Sequence, residues 1–224
     1  MTDILPTILP RAGGVIHYIV SGRNHAPALV LLHPLAASLA SWDLQLAEFE
    51  RFFRVIRLDL RGHGLSKFDD GPAQSCSLQD LALDALAVLD ALHIERAHWC
   101  GLSMGGLAAL QVALMAPRRV LRLVVAHTAA SVLPFATDRV LADRESPVRE
   151  IAVRDAELAG RLGEVQAPTL VIAGAHDPVI PIERAEELAD GIAGADLVVL
   201  DAAHRSHLEQ AEDFTRTVVD FLRD

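Results

Sequence analysis

Apolar positions fall along this chain in two alternating rhythms. Short, mainly apolar runs at Val15–Val20, Ala28–Leu32, Arg54–Leu58, Ala97–Leu102, Leu121–Ala126, Pro168–Ala173 and Asp196–Leu200 are bounded by Gly, Pro, Ser, His or Asp, which is the signature of strands. Between them apolar residues recur every three or four positions and predict helices over 41–49, 78–92, 107–116, 148–162, 181–192 and 210–222. The second of these has Ser77 as its cap and Leu78, Leu81, Ala85, Val88, Leu89 and Leu92 on one face. The helix over 107–116 is apolar nearly all round and stops before Pro117, as expected of a covered, central helix. The closing helix turns Phe214, Val218, Phe221 and Leu222 inward.

Short buried strands alternating with helices predict an α/β fold, a doubly wound and mostly parallel sheet, because parallel neighbours need crossover helices. In such a sheet the ligand site lies outside the carboxyl ends of the strands. No repeats, low-complexity tracts or long linkers interrupt the pattern, so residues 1–224 are expected to form a single domain.

Composition narrows the partners. A net charge of −10 with 51% hydrophobic residues describes a globular chain with no basic patch for nucleic acid or an anionic membrane surface. Cys76 and Cys100 make neither a disulfide framework nor a metal spacing, and the first residues lack the basic and apolar regions of a secretory signal. A cytoplasmic protein is the expectation.

The chemistry is concentrated at strand ends. Gly101-Leu102-Ser103-Met104-Gly105 is a G-x-S-x-G segment between a predicted strand and a predicted helix, where the serine sits on a turn too sharp for bulky neighbours. Asp177 follows the strand ending at Ala173, and His204 follows the strand ending at Leu200. The order Ser103, Asp177, His204 suits a nucleophile, an orienting carboxylate and a general base. His176 and His207 are rival bases, and Asp155 and Asp201 are weaker candidates for the acid. A developing oxyanion needs two backbone donors, one at Met104 and one in the loop after Leu32. Pro34 has no N–H, so the second donor falls to Leu35. No dinucleotide fingerprint, phosphate loop or metal-ligand spacing is present, and no cofactor is expected.

Several segments together resemble the α/β-hydrolase fold superfamily: Leu31-Leu32-His33, Ser41-Trp42-Asp43, Leu58 to Ser66 with its Arg61-Gly62-His63-Gly64 centre, Gly101 to Gly106, Pro168 to Gly174, and Ala202-Ala203-His204 through Gln210. Within it the chain is most similar to 3-oxoadipate enol-lactonases. The resemblance implies a cofactor-free serine hydrolase acting on a small ester or lactone, with Ser103, Asp177 and His204 as triad and Leu35 and Met104 as oxyanion donors. It leaves open a short-chain carboxylesterase, a carbon–carbon bond hydrolase, a perhydrolase, or a non-catalytic ligand-binding homologue. Two departures from the family pattern stand out. Pro34 replaces the usual glycine, and residues 127–147 leave room for only a residual lid. Arg139, Arg144 and Arg149 are either solvated surface groups or carboxylate binders, and a site mouth left apolar would be covered by a second copy in a homodimer.

Overall fold

The computed structural model describes residues 7–68, 76–130 and 158–224. Their strands are β1 Thr7–Arg11, β2 Gly14–Gly22, β3 Ala28–Leu32, β4 Arg54–Leu58, β5 Lys67–Phe68, β6 Ala97–Leu102, β7 Val120–Ala126, β8 Thr169–Gly174 and β9 Asp196–Leu200. One sheet of order β1-β2-β4-β3-β6-β7-β8-β9 joins them, with β5 pairing to β2. From β4 to β9 every neighbouring pair is parallel, whereas β1, β2 and β5 form an antiparallel flank. The expected doubly wound sheet is therefore present. β1 was not legible in the pattern because Pro10 interrupts it, and an edge strand tolerates that residue where an inner one does not.

The helices are α1 Asp43–Phe52, α2 Leu78–Ala91, α3 Met104–Met115, α4 Ile182–Gly191, α5 Ser206–Glu209 and α6 Ala211–Arg223. Alternation along the buried strands supplies both layers. Val30 and Leu32 of β3 face α2 and α3, while Leu29 and Leu31 face α1 and α6. α3 has no polar face because the sheet and α2 cover it, and its residues from Met104 to Leu114 are all buried. Burying Phe214, Val218, Val219 and Leu222 of α6 contributes roughly 1.5–3 kcal/mol each.

Ser77 caps α2 as its sequence suggests, in a reciprocal box with Asp80. Ser41 does not cap α1. It sits inside a 3₁₀ turn, Leu39–Trp42, that Ser38 caps, and its hydroxyl turns to His207 instead. Of the helix expected over 148–162, residues 148–157 lie outside the described residues, and the end is a 3₁₀ turn, Ala159–Glu164. Asp155, Arg139, Arg144 and Arg149 also lie outside them, as does most of the segment read as a residual lid. Among the described residues no helix is long and apolar enough to cross a membrane.

Candidate active site

Ser103 joins β6 to α3 with φ 54° and ψ −116°, a conformation that an L-residue holds only when its surroundings enforce it. Both flanking glycines are required by space. A Cβ on Gly101 would overlap the Gly105 carbonyl, and one on Gly105 would overlap the carbonyls of Leu32 and His33. The Ser103 N–H donates to the Ala126 carbonyl at 2.8 Å, and the Thr128 hydroxyl donates to the Ser103 carbonyl at 3.1 Å. The turn is thus fixed from β3 on one side and β7 on the other.

The loop after β3 is fixed just as firmly. His33 Nδ1–H donates to the Pro34 carbonyl at 2.7 Å, and its Nε2 accepts the Leu60 N–H at 2.9 Å. His63 Nδ1–H donates to the Arg61 carbonyl, and its Nε2 accepts the Ala36 N–H at 3.2 Å. Both rings must be neutral to accept at Nε2. Burial, and then the neighbouring His63 ring, push His33 down to about 4; burial lowers His63 too. Leu35 lies in the loop these rings hold, and Gly105 packs against the start of that loop.

Asp177 is 9% exposed and saturated with donors. Its Oδ1 accepts the N–H groups of Val179 and Ile180 at 2.8 and 2.9 Å. Its Oδ2 accepts Nδ1–H from His204 at 2.8 Å and from His127 at 2.8 Å. Burial alone would raise this carboxyl, but the hydrogen bonds from His127 and His204 outweigh it and hold Asp177 well below the usual carboxylate range. A carboxylate can only accept, so His204 carries its hydrogen on Nδ1 and, when neutral, keeps a lone pair on Nε2.

The rival residues are disposed elsewhere. His176 bonds Asp201 at 2.8 Å in an exposed pair and makes no hydrogen bond to Asp177 among those the described residues show. His207 is wholly buried, bonded through Nε2 to the Ser41 hydroxyl at 2.7 Å and packed on Trp42 and Phe214. Burial, then the charges of His127, Arg205 and His204, lower it to about 4. Its ring ties α5 to the 3₁₀ turn before α1, its carbonyl accepts from Gln45 of α1, and it is neither a surface group nor a base facing solvent.

Comparison with known proteins agrees with this architecture. Residues 27–145 match the alpha/beta hydrolase fold model, and residues 144–224 match that of TAP-like protein. The chain belongs to the α/β-hydrolase fold family. It is 30% identical to 3-oxoadipate enol-lactonase 1 of Acinetobacter baylyi, over 96% of each chain. Among solved structures it is similar to a hydrolase from Pseudomonas aeruginosa PA01 (34% identity, 99% of each chain, TM-score 0.87). The enol-lactonase of Burkholderia xenovorans LB400 is similar too (33% identity, 97% of this chain and 100% of that one, TM-score 0.88). The resemblance read from the motifs is thereby borne out.

Two residues of this α/β-hydrolase's site were missed in the sequence. His127 and Ser206 bond each other at 2.7 Å behind Asp177, and both are buried. A signal for His127 existed, since it follows β7 at the same edge where Ser103, Asp177 and His204 follow their strands. Its position at the start of the residual-lid segment concealed it. Ser206 carried no such signal, because nothing local distinguishes it from a solvated serine.

Proposed function

We propose that this α/β-hydrolase cleaves a small ester or lactone through an acyl-enzyme on Ser103. The observation that carries the reading is the 2.8 Å bond from His204 Nδ1–H to Asp177, at the sheet edge where a positive-φ turn presents Ser103. His204 Nε2 takes the Ser103 proton as Oγ adds to the substrate carbonyl, and the Asp177 carboxylate stabilises the resulting imidazolium. The N–H groups of Leu35 and Met104 hold the oxyanion. Collapse breaks the C–O bond, and His204 returns the proton to the leaving oxygen. Water, deprotonated by the same nitrogen, then releases the acid and restores Ser103. The residues account for every proton without a cofactor.

An enol-lactone is the favoured substrate because enol-lactonases stand among the relatives by both sequence and structure. A specific observation favours a broader esterase as the second reading. The alignment to the Acinetobacter enzyme runs over 259 positions, more than the 224 residues of this chain, so that relative carries residues with no counterpart here. A site with less covering it discriminates less among acyl groups.

Initial rates on p-nitrophenyl acetate, butyrate and octanoate beside 3-oxoadipate enol-lactone separate the two, with Ser103→Ala as control. Lactone turnover well above every ester supports the first reading, and broad ester turnover supports the second. Undiminished activity in Ser103→Ala overturns both.

A further inference from the structure

A second imidazole sits behind the carboxylate. His127 leaves β7 into the core at 1% exposure, donates Nδ1–H to Asp177 Oδ2 at 2.8 Å, and meets the Ser206 hydroxyl with Nε2 at 2.7 Å. Ser206, His127 and Asp177 thus repeat, in contact order, the arrangement of serine, histidine and carboxylate, sharing one aspartate with His204. Ser206 is 0% exposed, so no substrate reaches it. The consequence of this inner relay falls on Asp177 instead.

The place is shaped for the ring. A Cβ on Gly174 would overlap the Ala202 and Ala203 carbonyls and also press on His127 Cε1, so the glycine of β8 leaves room both for the segment leading to His204 and for the ring. The rings of His127 and His204 stand edge to face, 5.5 Å between centroids, both aimed at the same oxygen. The proton positions follow from valence. The carboxylate only accepts, so each ring carries its hydrogen on Nδ1, and His127, when neutral, accepts the Ser206 O–H at Nε2.

We propose that His127, seated on Ser206, is a positioning residue for the hydrolysis: it pins the Asp177 carboxylate toward His204 and, by drawing on the same oxygen, limits how basic His204 becomes. This rests on the reading of Ser103, Asp177 and His204 as the triad. Without the His127 donor, Oδ2 carries more charge toward His204, the imidazolium gains stability, and its deprotonation moves to higher pH. The other titratable groups around this centre remain in place. His207 of α5 is held by the Ser41 hydroxyl, Glu209 accepts the N–H groups of Ala203 and Arg205, Arg205 is exposed, and the His176–Asp201 pair lies outward.

The test is the pH profile of kcat/KM on p-nitrophenyl butyrate for His127→Leu, His127→Asn and Ser206→Ala, together with NMR titration of the His204 ring in a Ser103→Ala background. In His127→Leu the acid limb and the ring titration move up by about half to one pH unit, and kcat falls about tenfold with KM within about twofold. His127→Asn puts an amide N–H₂ donor in the place of the histidine Nδ1 and so recovers most of both effects. Ser206→Ala, a one-atom deletion, shifts the limb upward by a smaller amount and decides the matter if His127→Leu does not fold. An unmoved limb in folded His127→Leu or in Ser206→Ala, or equal losses in the Asn and Leu variants, overturns the proposal. Turnover surviving in Ser103→Ala would overturn the triad reading itself, a distinct result.

Discussion

Two buried aspartates at the carboxyl edge of the sheet, each ringed by histidines, do different work. Asp59, after β4, accepts the N–H groups of Leu39 and Leu65 and the Nδ1–H of His17, while the Ser66 hydroxyl donates to its backbone carbonyl. His33 and His63 next to it spend both ring nitrogens on backbone groups. Asp177, after β8, is as thoroughly satisfied, yet His204 is half-buried and spends only Nδ1 on it. The residue types are the same, and each carboxylate holds a ring by Nδ1 alone, His17 at Asp59 and His204 at Asp177; the difference is that the His17 ring is closed off in the core while the His204 ring is partly open. On the proposed reading, His204 differs from His17 by where its second nitrogen lies, in a partly open ring and not in a sealed one.

The sharpest way to break the comparison is to exchange carboxylates for amides at both centres. Asp177→Asn is expected to lower kcat on the preferred substrate by about 10⁴-fold, because the amide no longer fixes His204 in the Nδ1–H tautomer. The urea midpoint should move far less than activity does, and a loss of activity that merely follows unfolding would erase the distinction. Asp59→Asn should do the reverse, costing about 2–4 kcal/mol of unfolding free energy by setting an N–H₂ against backbone donors. Enzyme that remains folded should keep most of its turnover.

Acid should act on the two regions through different groups. His33 and His207 are near 4 when folded and about 6.5 when unfolded. As pH falls through 6.5 the unfolded chain takes up protons first, so stability is complete above that pH and is lost between 6.5 and 4. The loss is on the order of 1–3 kcal/mol for each ring. Below about 4, Asp177 extends the loss, since its folded carboxyl titrates lower than the unfolded one. Urea titrations from pH 7 to 3.5 measure the slope, which should flatten in His33→Gln. The smallest effect is expected from His176→Ala, which breaks only an exposed pair with Asp201 and should leave both the midpoint and kcat unchanged.

Much of this molecule was legible without coordinates. The apolar runs located the inner parallel strands β3, β4, β6, β7 and β8 because burial on both faces writes a nearly continuous run into the sequence. The glycines around Ser103 announced a sharp turn because a side chain at Gly101 or Gly105 would overlap backbone. β1 and the 3₁₀ turns were not legible, since their signals are short and interrupted by Pro10 or by residues that also suit helices.

What the sequence determined by itself is therefore the layered α/β architecture and the strand-end placement of Ser103, Asp177 and His204, all consequences of local steric and hydrophobic rules. The tertiary structure alone decided how the polar atoms are partnered. It set His204 rather than His207 or His176 against Asp177, buried His207 on Trp42, and seated His127 on Ser206 behind the carboxylate. The physical reason is that a hydrogen bond joins atoms 2.7–2.8 Å apart whose residues here lie 27 to 166 positions apart in the chain. No local pattern records which distant donor a folded acceptor will meet.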